Sequence, residues 1–108
     1  MMNCLEKIRK IIEEKNLVYK SKVIARKELL DLNKNGIKKL LKADYTNEDI
    51  NGLSNNMKIR TYGLEHCLSY DMDRLKLSFD FVDYENDQIC EYYCFYDLDG
   101  NYLDSFFD

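Results

Sequence analysis

Leu75-Lys76-Leu77-Ser78-Phe79-Asp80-Phe81-Val82 alternates apolar with polar residues from Leu75 to Phe81. Successive side chains of a β-strand point to opposite faces, so this period of two puts Leu75, Leu77, Phe79 and Phe81 on one buried face. Upstream, Met57, Ile59 and Thr61 alternate in the same way with Lys58, Arg60 and Tyr62. Downstream, the polar turn Asp83 to Gln88 leads into a strand over Ile89 to Leu98. Asp99-Gly100 then supplies the positive φ of a tight hairpin into Tyr102 to Phe107. Leu68, Tyr70 and Met72 mark one further candidate strand. Consecutive strands joined by short turns imply an antiparallel meander of four or five strands, one face covered and the other at least partly wet.

Before Met57 the period is helical. Asn3 is placed to cap a first helix, with Glu6 three residues on as in a capping box, and Leu5, Ile8, Ile11 and Ile12 recur at helical spacing before a stop at Lys15-Asn16. Ser21 is the expected cap of a second helix carrying Val23, Ile24, Leu29, Leu30 and Leu32, broken by Asn33 to Gly36. Ile37, Leu40 and Leu41 form a third stripe. Thr46, with Glu48 and Asp49 in the first turn, starts a short fourth helix through Leu53, and Ser54-Asn55-Asn56 reads as a loop. The expected fold is α+β: three or four N-terminal helices packed on a C-terminal antiparallel meander. Residues 1–108 form a single domain, with residues 1–53 helical and basic and residues 57–108 a sheet, acidic and aromatic.

The chain of 108 residues is 45% hydrophobic and 33% charged. That supplies apolar side chain for one packed interior and excludes a wholly disordered segment. No run approaches the roughly 20 apolar residues of a membrane span, and Met1-Met2-Asn3-Cys4-Leu5-Glu6-Lys7 lacks the apolar stretch of a secretory signal. The expected location is the cytoplasm, where Cys4, Cys67, Cys90 and Cys94 stay reduced. The excess of lysine, asparagine and isoleucine, with no proline, suggests AT-rich coding, hence a low-GC bacterium or its phage. Net charge is −4, unevenly spread: residues 1–42 hold 12 Lys+Arg against 5 Asp+Glu (+7), and residues 43–108 hold 4 against 15 (−11). Halves of opposite sign imply either two different surfaces or one half attracting the other.

Catalytic and metal motifs do not carry the sequence. His66 stands beside Cys67, but adjacent strand residues point to opposite faces. Cys90 and Cys94 share a strand face about 13 Å apart, too far to hold one ion. Asp97-Leu98-Asp99-Gly100-Asn101 hints at a calcium loop, yet counting from Gly100 as the sixth position puts Phe95 first and Phe106 twelfth. No lysine follows the carboxylates of residues 80–91 as metal-dependent hydrolysis would want. The four glycines are isolated, so no phosphate loop forms. The expectation is a protein that is not an enzyme, with no cofactor and no metal.

Two surfaces remain. Ser21 to Ala43 is similar to a helix-turn-helix, with Met57 to Gly63 as a wing. Lys34, Lys38, Lys39 and Lys42 would then meet DNA phosphates, with little beyond Asn33 and Asn35 to reach base edges. The second surface is the tail, residues 65–108, which holds 12 acids, 2 bases and 11 of the 14 aromatics. Alternate strand residues lie ~6.6 Å apart, so Asp80 and nearby acids would present carboxylates at a spacing like that of successive phosphates. Tyrosine is also a preferred interface anchor. The expected partner-binding residues are Asp80, Asp83, Tyr84, Glu85, Asp87, Glu91, Tyr93 and Asp97.

In size, acidity and the closing hairpin Tyr92-Tyr93-Cys94-Phe95-Tyr96-Asp97-Leu98-Asp99-Gly100-Asn101-Tyr102, the chain resembles two kinds of small bacterial or phage protein. These are immunity proteins that neutralise toxins, and anti-CRISPR proteins that occupy a nuclease's nucleic-acid channel. The resemblance implies a protein partner with a basic surface, a nuclease or toxin, bound without chemistry. Direct nucleic-acid binding by a regulator or antitoxin through residues 21–43 is the alternative. A homodimer is compatible with either, because strand edges are left exposed.

Overall fold

The computed structural model describes residues 3–108: four helices, then a four-stranded antiparallel sheet in the order β1-β2-β3-β4. Helix α1 (Cys4–Glu14) is capped by Asn3, whose side chain accepts from the Glu6 amide at 2.8 Å. The reciprocal bond of a capping box forms at α4, where Thr46 and Asp49 bond each other's backbone amides. Asn16 adopts the left-handed conformation (φ 54) that asparagine tolerates, so α2 (Leu17–Leu30) follows α1 across a sharp turn.

Helix α2 therefore starts four residues before Ser21, and Ser21 is no cap. It lies in a buried stripe, Leu17-Ser21-Ala25-Leu29, at i+4 spacing. Its hydroxyl donates to the Leu17 carbonyl at 2.7 Å and pairs with the Tyr96 hydroxyl at 2.8 Å, which lets a polar residue face the core. The second break is Asp31 to Asn33 and ends earlier than expected. Asn33 accepts from the Gly36 amide at 2.7 Å and starts α3 (Lys34–Leu41). Helix α4 (Asn47–Asn56) takes in Ser54-Asn55-Asn56 because Ser54 is buried on its inner side.

Strands β1 (Lys58–Cys67), β2 (Met72–Val82), β3 (Gln88–Tyr96) and β4 (Tyr102–Phe107) form the meander. No strand forms at Leu68 and Tyr70. They belong to the β1–β2 turn, closed by Asp71 at φ 47, while Met72 opens β2. Strand β3 ends at Tyr96 instead of Leu98. Asp97 turns the chain there, its carboxylate accepting the amides of Asp99 and Asn101, both at 2.9 Å. Gly100 sits at φ 85, and a Cβ on it would meet Lys15 Cγ at 2.7 Å, so both its conformation and its approach to the end of α1 require glycine.

The helices cover one face of the sheet. Leu75, Leu77, Phe79 and Phe81 of β2, with Cys90, Tyr92, Cys94 and Tyr96 of β3, meet Ile8, Ile12, Leu17, Ala25, Leu29, Ile37, Leu41, Ile50 and Leu53 in one continuous core. Period-two and helical stripes thus converge as their spacing predicts. Among the described residues every ion pair lies within one half: Lys10–Glu14 on α1 and the rest inside the sheet. The seam between halves is apolar apart from hydroxyl bonds such as Ser21–Tyr96, and no described ion pair crosses it. Among the described residues no helix is long and apolar enough to cross a membrane.

The four thiols are unpaired with one another. Cys90 and Cys94 face the core, and burial pushes the Cys90 thiol up to about 11 and Cys94 up as well. A neutral aromatic disulfide reagent should therefore modify Cys4 quickly and half-buried Cys67 more slowly, with Cys90 and Cys94 reacting only after denaturant is added. Four fast thiols in the folded protein would contradict this packing.

Candidate functional site

The face of the sheet opposite the helices is bare. Cross-strand pairing places Arg74, Lys76, Ser78 and Asp80 of β2 on it, beside Glu91, Tyr93 and Phe95 of β3 and Asp104 and Phe106 of β4. A row of carboxylates along one strand does not form, because the residues sharing this face with Asp80 on β2 are Ser78, Lys76 and Arg74. The acid beside Asp80 is Glu91 on the next strand.

Arg60 reaches across both. A bulge between Ile59 and Thr61 turns its side chain over β2, with Nη1 2.8 Å from Glu91 Oε1 and Nε 3.8 Å from Asp80 Oδ1. Tyr93 donates its hydroxyl to the other Glu91 oxygen, and Gln88 donates to Asp80 at 2.7 Å. The Tyr93 hydroxyl, then Arg60, hold the Glu91 carboxyl below the usual carboxylate range, so it stays ionised. The same bond to Glu91 raises the Tyr93 phenol.

Beside this cluster lie three adjoining rings. Tyr93 and Phe106 have centroids 5.1 Å apart, and Phe106 and Phe95 5.8 Å. Lys76 stands 4.7 Å over Tyr93 and Arg74 4.0 Å over Phe95, while Arg74 Nε donates to Glu65 at 2.6 Å. The open face thus carries rigid aromatic area among paired charges, and Phe106 remains 46% exposed.

The β2–β3 turn adjoins Asp80 and Glu91. Asp83 serves the backbone here: its carboxylate accepts the amides of Glu85 at 2.8 Å and Asp87 at 2.9 Å. Glu85 and Asp87 project into solvent, and Tyr84 is 76% exposed, its hydroxyl donating to Asp49 of α4 at 3.0 Å. Bonds from the Thr46 amide and hydroxyl, then from Tyr84, lower the Asp49 carboxyl. The terminal Asp108 is paired through its backbone with Glu91. One corner of the molecule therefore gathers Glu48 and Asp49 from α4, Glu85 and Asp87 from the turn, and Asp80, Glu91 and Asp108 from the sheet.

Of the expected partner-binding residues, Asp80, Asp83, Tyr84, Glu85, Asp87, Glu91 and Tyr93 come together at this corner. Asp97 does not. It lies at the other end of β3, six residues or about 20 Å from Glu91, and it closes the β3–β4 turn. Glu48, Asp49, Arg60, Phe106 and Asp108 join the surface unforeseen. The acids of α4 have the composition of an ordinary helix first turn, and nothing local shows that the turn folds against them. Arg60 has the look of one more polar strand residue until the bulge is known.

The lysines of the alternative surface, Lys34, Lys38, Lys39 and Lys42, are exposed on or at the end of α3. A helix-turn-helix seats its second helix on its first. Here α2 packs chiefly on α4 and α1, and α3 packs on β3. Of Met57 to Gly63, expected as a wing, Met57 caps α4 and the rest belongs to the ten-residue strand β1. Among the described residues no group of three His, Cys, Asp or Glu side chains is arranged to hold a metal ion. Comparison with family models, curated proteins and solved structures finds no match for the chain.

Proposed function

We propose that this protein is a non-enzymatic inhibitor that neutralises a basic, nucleic-acid-acting protein, in the manner of an anti-CRISPR or toxin-immunity protein. It docks the acidic corner and the adjoining open sheet on that partner. The observation that carries the reading is the convergence around exposed Tyr84 of acids from α4 and from the β2–β3 turn, next to Glu91 and Tyr93. Acids of that density speed encounter with a basic groove, and Tyr84, Tyr93 and Phe106 supply apolar contact once the groove is reached. Arg60 keeps Asp80 and Glu91 in fixed positions, so the charge there is presented by a rigid surface.

The test uses Glu48→Lys, Glu85→Lys and Asp87→Lys together and leaves the turn-closing Asp83 in place. Against a panel of purified basic nucleases, the wild-type protein is expected to bind at least one and block its cleavage, with affinity falling as salt rises. The triple variant should bind that nuclease about 10- to 100-fold more weakly and with a shallower salt dependence. Unchanged affinity in the triple variant, or no binding to any nuclease at low salt, defeats the proposal.

A further inference from the structure

No residue of β1 is buried, as is also true of the other edge strand β4, and the outer edge of β1 has no partner among the described residues. Of the helices, α1 reaches β1, but it leaves the apolar row there incompletely covered. Ile59, Tyr62 and Leu64, on the helix side, are left 37%, 38% and 43% exposed, and Leu68 in the following turn 87%. Edge strands of soluble proteins are commonly blunted by proline, lysine or a bulge. Lys58 and the bulge at Ile59/Thr61 do this at the start of β1; from Thr61 to Cys67 the register is regular, with no proline or lysine, and the one carboxylate there, Glu65, is drawn back to Arg74 of β2. The other edge, β4, has six residues and carries Asp104.

From these observations we infer that β1 pairs with β1 of a second copy of this chain, antiparallel about a two-fold axis at Gly63, making one eight-stranded sheet. The inference does not depend on the acidic corner. Antiparallel pairing at this register sets Tyr62 of each copy against Leu64 of the other, and Ile59 beside the turn that bears Leu68. It therefore covers the uncovered apolar row with itself. Charge favours the same arrangement. Lys58, which makes no ion pair among those formed in the sheet, comes alongside the other copy's hairpin end, where Glu65, Asp71 and Asp73 outnumber Arg74. Parallel pairing would place Lys58 against Lys58 and hairpin against hairpin. Gly63 is also free of any internal requirement: a Cβ there meets nothing within 4 Å and its φ is not positive. Glycine within a strand often marks close approach by another backbone.

The experiment pairs two variants, Leu64→Lys and Tyr62→Glu, at positions exposed enough to keep the fold, as circular dichroism would verify. Light scattering across a dilution series should give a wild-type dimer and a monomer for each variant alone. An equimolar mixture of the two should return a dimer, since this register sets each new charge against its opposite in the other variant. Amide exchange of wild-type residues 61–67 should slow as concentration rises. A wild-type monomer throughout, a dimer that survives either substitution, or a mixture that stays monomeric would overturn the inference.

Discussion

Replacing Tyr92 by alanine is expected to remove roughly 3–5 kcal/mol of unfolding free energy, measured by urea titration. Tyr92 is fully buried at the middle of β3. Its ring centroid lies 4.6 Å from that of Phe107, 6.2 Å from Phe81 and 6.3 Å from Phe79. Truncation leaves a cavity where β2, β3, β4 and α2 meet, and the surrounding rings are held by the two flanking strands and cannot collapse into it. Against the ~5–15 kcal/mol typical of a whole domain, the loss is large. Tyr92→Phe separates the ring from its hydroxyl. The hydroxyl donates to Glu28 over a long 3.4 Å, so phenylalanine should cost no more than about 1 kcal/mol. Equal losses for both substitutions would mean that the hydroxyl, and not the packing, holds this region together.

The second large effect is alkaline. Burial raises four groups of the core above their ordinary values: the thiols of Cys90 and Cys94, ordinarily 9.0, and the phenols of Tyr92 and Tyr96, ordinarily 10.0. The unfolded chain releases these protons near pH 9 and pH 10 while the folded protein keeps them, Cys90 until about 11. Above pH 9 the native state therefore holds more protons than the unfolded one. The stability from these groups, intact below pH 9, declines as pH rises. A group that keeps its proton in the folded state contributes up to about 1.4 kcal/mol per pH unit, so Tyr92 and Tyr96 together steepen the loss above pH 10 by about 3 kcal/mol per unit, with Cys90 adding to it until about 11. Cooperative unfolding is expected above pH 10. Far-ultraviolet circular dichroism should fall in step with the last part of the phenolate absorbance, as Tyr92 and Tyr96 ionise only on unfolding. Complete titration of all nine tyrosines before the dichroism changes would refute the placement of those two rings.

The layout of the fold was legible because it rests on periodicity. Leu75 to Phe81 alternate, Ile8 and Ile12 recur at helical spacing, and Asp99-Gly100 names its own turn. What escaped detection depends on partners distant in sequence. Ser21 carries the composition of a helix cap, but Tyr96, 75 residues away, supplies the hydroxyl that lets it be buried. Leu68 and Tyr70 have strand composition, yet the pairing of Cys67 with Met72 leaves them only a turn to occupy. Asp83 and Asp97 count equally as acids in the sequence, while in the fold both are occupied by backbone amides and add little to a docking surface. Two of the tail's 12 acids are thus turn chemistry. The part available to a partner is smaller and is completed by Glu48 and Asp49, which the sequence places in the basic half's last helix.

The confinement of every described ion pair to one half also bears on how the protein would respond to its surroundings. With apolar contacts and hydroxyl hydrogen bonds, and no described ion pair, joining helices to sheet, a rise in potassium or magnesium has little to loosen at that boundary. The same ions shield the exposed corner and, under the proposed function, slow its meeting with a basic partner. Ionic strength would then adjust how readily the molecule is captured without touching whether it is folded, so a cell's changing salt could tune the interaction at no structural cost.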